Sequence, residues 1–224
     1  MISARRNSAR TGRSLSRSSG FRAPRKTVMV LCEGKRTEPE YIYALSREND
    51  VKEVAAVRII IDRSSFGCAP MTLVRRAVEL RKRSEDEHDE IDEIWCVFDV
   101  EWSGLGQHHP NLHEAIQTAE ASGVHCAISN PSFELWLILH FRNHTGFLAN
   151  ADARRMRAEY DGSAGKEVDG AIYMPRRSVA ARQAKLLDER HALDGTRFPQ
   201  NNPSSGMHLL LTSVTNQLDL QDGT

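Results

Sequence analysis

The chain has little cysteine, few aromatic residues and no long apolar run. Its four cysteines, Cys32, Cys68, Cys96 and Cys126, stand roughly 30 residues apart without a CxxC pair, which excludes the usual zinc spacings and a dense disulfide framework. Three of them fall in apolar runs, where a free thiol acts as a small hydrophobe. A reducing, cytoplasmic setting is therefore expected. The longest apolar stretch, residues 133–141, is interrupted by Glu134 and His140 and is far shorter than the roughly 18 residues that cross a bilayer, so no membrane partner is expected. GxSxG, HExxH and a full phosphate-binding loop are also absent. Serine hydrolase, zinc protease and NTPase readings have no motif to stand on.

Acid is missing from the first 26 residues, which hold Arg5, Arg6, Arg10, Arg13, Arg17, Arg22, Arg25 and Lys26. The remainder carries 22 basic and 30 acidic residues, so a net charge of zero hides a cationic tail on an acidic body. Ser, Gly and Arg dominate the tail, and too little apolar surface is available to offset the entropy of ordering it. Residues 1–26 are expected to be disordered. The segment has no apolar core of a secretory signal, and only Ile2, Leu15 and Phe21 offer an apolar face for a transit peptide. A phosphate-binding arm and a solubilising tail both stay open. The rest of the 224 residues, with 40% apolar content over the whole chain, suits one domain over 27–224.

Beyond the tail, apolar runs alternate with helical patterns. Strands are expected over 27–32, 57–61, 93–98 and 124–128, each followed by a helix, over about 38–47, 71–83, 111–122 and 132–143. This repeat predicts an α/β fold with a mostly parallel central sheet and helices on both faces. Thr37 and Glu40 have the spacing of a capping box. Pro131 suits a first helical turn, with Ser129 or Asn130 as its cap. Phe133, Trp136, Leu137, His140 and Phe141 fall on one helical face, which should be buried, with His140 a hydrogen-bonded core residue. From about 144 the pattern changes to a helical C-terminal portion that should cap the sheet rather than extend it. A loop is expected over 161–174, a basic helix over 175–190 and a last helix over 205–218.

Two of the expected buried strands end in acids: Glu33 after the first, and Asp99 with Glu101 after the third. Open α/β sheets place their sites at such carboxyl ends. Gly34 permits a sharp turn there, and Lys35 and Arg36 add cations that suit phosphate. Asp99 and Glu101 point to one side if the extended backbone persists, and paired carboxylates match the needs of Mg²⁺. Glu134 lies in a first helical turn, where the helix dipole favours an acid with or without a function. His108 and His109 follow Glu101 closely enough to be considered as ligands. The acidic run from Glu85 to Glu93 belongs to the opposite end of the sheet and reads as a solvated loop.

The segments VMVLCEGKRTEPEY (28–41), VFDVE (97–101), SNPSFELWLILHF (129–141) and NPSSGMH (202–208) resemble the RloB family of bacterial proteins. That resemblance implies a Toprim-like fold, in which a glutamate after the first strand and an Asp-x-Asp pair after a later one form the site. These positions map onto Glu33 and onto Asp99 with Glu101, the second Asp being Glu here. It also implies a role in antiviral defence beside an AAA-type or ABC-type ATPase partner.

Together these readings predict a Mg²⁺- or Mn²⁺-dependent nuclease acting on DNA or RNA. Glu33, Asp99 and Glu101 are the expected catalytic residues, and the same three with Glu134 the expected metal ligands. Lys35, Arg36, Lys166, Arg176 and Arg177 are the expected contacts to nucleic acid. Two alternatives stay open: a non-catalytic nucleic-acid-binding or regulatory subunit, and a small-molecule phosphotransfer or nucleotide-binding module; assembly as a homo-oligomer is open under each reading.

Overall fold

The computed structural model describes residues 26–54, 56–87, 91–102, 108–162, 165 and 167–215. The basic tail up to Arg25, and Lys166, lie outside the described residues.

Four strands follow one another as the apolar runs require: β1 (Lys26–Cys32), β2 (Val57–Asp62), β3 (Glu93–Asp99) and β4 (His125–Asn130). They pair in parallel in the order β2-β1-β3-β4. A short strand β5 (Ser204–Ser205) then joins β4 antiparallel. The helices are α1 (Thr37–Leu45), α2 (Pro70–Glu87), α3 (Leu112–Ala121), α4 (Phe133–Ile138), α5 (Asn150–Asp161), α6 (Gly170–Tyr173), α7 (Arg177–Leu193) and α8 (Met207–Val214).

Side chains alternate across each strand and so build two cores. Val28, Val30, Cys32, Trp95 and Val97 face one core, shared with α1, α4, α7 and α8. Leu31, Ile94, Cys96 and Phe98 face the other, shared with α2 and α3. Helices therefore cover both faces, as the βα alternation predicts. The four cysteines are free, and none of the helices among the described residues is long and apolar enough to cross a membrane.

Several local expectations are corrected. Thr37 does not cap α1, because the Arg36 carbonyl already accepts the first helical bond from Glu40 N and Arg36 occupies the cap position. Glu40 instead accepts from Val168 N at 2.7 Å, a backbone donor brought in from a distant loop. Pro131 precedes α4 rather than opening it. Ser129 and Asn130 remain in β4, where Ser129 meets the Ser205 hydroxyl at 3.1 Å and the Asn130 amide donates to Pro199 O. The predicted buried face holds in part: Phe133, Trp136, Leu137 and His140 are buried, Phe141 is half-buried, and α4 ends at Ile138, so His140 and Phe141 lie beyond the helix.

The C-terminal portion extends the sheet by β5, against expectation. Small side chains at Ser204, Ser205 and Gly206 let the backbone lie against β4, and a Cβ on Gly206 would stand 3.1 Å from Ile128 N. Helix α5 was not expected at all. It has no full apolar stripe, and it is anchored by a buried charge, Arg157, whose side chain and that of Asp161 are each 3% exposed.

Candidate functional site

Strand order decides where the carboxylates meet. The chain runs from β1 outward to β2, then returns across the sheet to β3, so β1 and β3 are neighbours at the point where the winding reverses. A crevice opens at the carboxyl ends of such a pair. Glu33 continues the ladder just past β1, with its N–H donating to Val97 O at 2.9 Å. Its side chain then reaches across to β3, where Oε2 accepts from Asp99 N at 3.0 Å. Residues 66 apart in sequence are thereby joined by one hydrogen bond.

Around this bond lies a cleft of about 520 Å³. Glu33, Glu38, Asp99, Glu101 and Glu134 line it, together with Lys35, Arg36 and Arg154. Glu101 arrives there by a different backbone path from the expected one. β3 ends at Asp99, and Glu101 takes φ 48°, while its N–H donates to Pro131 O at 3.1 Å.

Two buried residues of the cleft, Glu38 and Ser132, were not singled out from the sequence. Glu38 is buried, at 6% exposure, in the first turn of α1, and its carboxylate occupies the space that a Cβ on Gly34 would fill. The glycine is thus required for close approach of an acid as well as for the turn. No signal in the sequence pointed to Glu38, because burial of an acid is not readable from spacing. Ser132 is also buried and lines the cleft. Its Oγ, like Oδ1 of Asp99, is closed from solvent without a hydrogen-bond partner among the described residues. Unpartnered buried polar atoms are rare, and each calls for an explanation.

Burial in the cleft, with like charges nearby, shifts Glu33 and Asp99 upward. Burial, followed by the charges of Glu101 and Glu38, raises Glu33 to about 7 against the opposing donation from Asp99 N. Asp99 is pushed well above the usual carboxylate range, by burial first and then by Glu38, Glu134 and Glu33; donation from Phe133 N opposes this.

The predicted cations divide. Lys35 and Arg36 line the cleft. Arg36 is also held by Glu167 at 2.7 Å and by Glu40 at 3.4 Å. Arg176 and Arg177 are not among the lining residues. Arg177 ties the start of α7 to Asp50 at 2.5 Å and to Glu48 at 3.3 Å, and Arg176 lies 5.4 Å over the Phe141 ring. Arg154 lines the cleft in their place; its signal was hidden because α5 itself was not foreseen. His108 and His109 do not line the cleft, and each has a ring nitrogen against a backbone carbonyl. His140 is the expected core residue, 3.1 Å from the Tyr41 hydroxyl and 2.9 Å from Trp136 O, and burial lowers it to about 3.

Hard carboxylate oxygens and the unpartnered Asp99 Oδ1 fit a divalent cation such as Mg²⁺, which needs one or two carboxylates and keeps much of its water. Among the described residues, no three His, Cys, Asp or Glu side chains are arranged to hold an ion by themselves.

No curated protein and no solved structure matches the chain. The family model described as RloB-like protein matches residues 28–214, a span that takes in every strand but the first two residues of β1, and the whole cleft. The chain belongs to the RloB-like protein family.

Proposed function

We propose that the chain is a Mg²⁺- or Mn²⁺-dependent, Toprim-like nuclease that hydrolyses phosphodiester bonds in DNA or RNA. The observation that carries this reading is the meeting of Glu33 and Asp99 across β1 and β3, in one cleft with Glu101 and Glu134. Asp99, with Glu101 or Glu134, would hold the metal, and water would complete its shell. When bound, the metal would supply charge neutralisation at the phosphate oxygens.

The chain's own residues do the remainder. Lys35 and Arg36 hold the backbone of the nucleic acid beside the carboxylates. Glu33, standing within the cleft and titrating near neutrality, accepts the proton of the attacking water. The new P–O bond forms as the opposite one breaks, and the proton passes on to the departing oxygen or to solvent. Shelter from bulk water strengthens each of these electrostatic contacts. Following the family resemblance, the biological setting is antiviral defence with an AAA-type or ABC-type ATPase partner.

The test uses the full chain with duplex DNA, single-stranded DNA and transfer RNA in the presence of Mg²⁺ or Mn²⁺. Asp99→Ala should abolish cleavage while circular dichroism and the thermal midpoint show a folded protein. Undiminished cleavage by that variant would remove the assignment. A second reading, a binding or regulatory subunit without catalysis, is favoured by the absence of a ready three-ligand group among the described residues. Salt-sensitive binding without cleavage, with the ATPase partner present, would select it.

A further inference from the structure

Helix α5 carries three neighbouring arginines in three different situations. Arg155 pairs with Asp152 at 2.7 Å. Arg157 is buried, donating to Asp161 at 2.8 Å, to Gly165 O at 3.2 Å and to Glu167 O. Arg154 is exposed, lines the cleft, and has no hydrogen-bond or ion-pair partner among the described residues. An arginine among five carboxylates would ordinarily pair with one of them. Here the side chain one turn away is locked, so α5 cannot readily roll to bring Arg154 onto an acid. The Asp99 Oδ1 and Ser132 Oγ atoms, buried and unpartnered, belong to the same cleft. A group that satisfies this site must offer an anion to Arg154 while tolerating the carboxylates.

We infer that Arg154 is a substrate-contacting residue whose guanidinium binds the non-bridging oxygens of the phosphate in the cleft. The inference rests on the phosphodiesterase reading for the identity of that phosphate. A planar fork of N–H donors matches two phosphate oxygens at once, which a lysine cannot reproduce. Arg36 is less suited to the task, being engaged by Glu167 and Glu40. Arg154 thereby makes the cleft selective for an anionic diester over an uncharged one, against the repulsion of its acidic wall.

The test compares Arg154→Ala, Arg154→Gln and Arg154→Lys with the parent, all as full chains. Cleavage of a single-stranded oligonucleotide is measured with Mg²⁺, and binding of the same oligonucleotide with Ca²⁺ over a range of salt. Loss of the contact should lower kcat about 10²- to 10³-fold, as removal of a single charge-stabilising donor does. The slope of log affinity against log salt should fall by about 0.7, the value for one phosphate of a single strand. Lys should restore the slope but only part of kcat, and the thermal midpoint should not move. A methylphosphonate at the scissile position should weaken the parent more than it weakens Arg154→Ala. Unchanged kcat and slope in Arg154→Ala overturn the inference and leave the nuclease reading standing. If the parent binds but never cleaves, the nuclease reading fails, and the slope alone decides Arg154: a reduced slope upholds it and an equal slope overturns it. A parent that does not bind the oligonucleotide overturns both.

Discussion

Glu33 and Asp99 show what it costs a fold to gather carboxylates. Their protonated forms are favoured in the native chain, by burial first and by neighbouring acids second. For Glu33 the folded value, about 7, lies above the unfolded one of 4.5, so the native state binds more protons than the unfolded state between them. Stability from this group is complete below the lower value, falls as pH rises through the window, and levels off above it. Glu33→Gln should therefore raise the thermal midpoint at about pH 8 with chelator present, and raise it little at about pH 5, where the parent carboxyl is itself neutral. Each kcal/mol relieved would appear as about 2–4 °C in a chain of this size. An equal gain at both pH values would show that Glu33 does not titrate in that window. Mg²⁺ should restore the parent at the higher pH and do less for the variant. The two acids were legible as strand-end residues in the sequence. Glu38 was not, since nothing in its spacing says that a glycine four residues earlier leaves room for its carboxylate.

Elements built on apolar periodicity were readable, and those built on polar anchors were not. β1, β3 and α4 follow from runs of buried side chains, whose free energy scales with apolar area whatever their partners. Helix α5 depends on Arg157, which holds Asp161 and the carbonyls of Gly165 and Glu167 while Tyr173 donates to Asp161 at 2.6 Å. That network joins α5 to the segment ahead of α6, and a charge in a helix gives no sign from sequence that it points inward. Arg157→Met should cost about 3–5 kcal/mol, because removing one partner leaves the other buried and unpaired. The urea midpoint of the full chain measures this. A shift below about 0.5 kcal/mol, the scale of a surface change, would show that the network contributes little. The mistaken capping box at Thr37 has the same origin, since Glu40 found its donor at Val168, 128 residues away.

At the scale of the whole molecule, charge is separated along the chain. The segment up to Lys26 is wholly cationic, and the 22 basic and 30 acidic residues that follow give a body whose field opposes nucleic acid. A polyanion must be drawn in by local cations, by the N-terminal segment, or by both. Deleting residues 1–25 should weaken oligonucleotide binding and flatten its salt dependence while leaving kcat close to the parent's, since β1 begins at Lys26. Anisotropy titrations over a range of KCl, with cleavage rates at saturating substrate, measure the two effects. An unchanged salt slope would assign binding to the cleft and its rim alone.

By itself the sequence determined the alternation of strands and helices, the two-sided burial of the sheet, and the placing of acids at strand ends, because each depends on residues close together in the chain. The tertiary structure alone decided that β1 and β3 are neighbours, that β5 pairs with β4, and that Arg154 rather than Arg176 or Arg177 faces the carboxylates. These are contacts between segments far apart in sequence. Local propensity is the same for every strand order, and only packing the whole chain on one sheet selects among them.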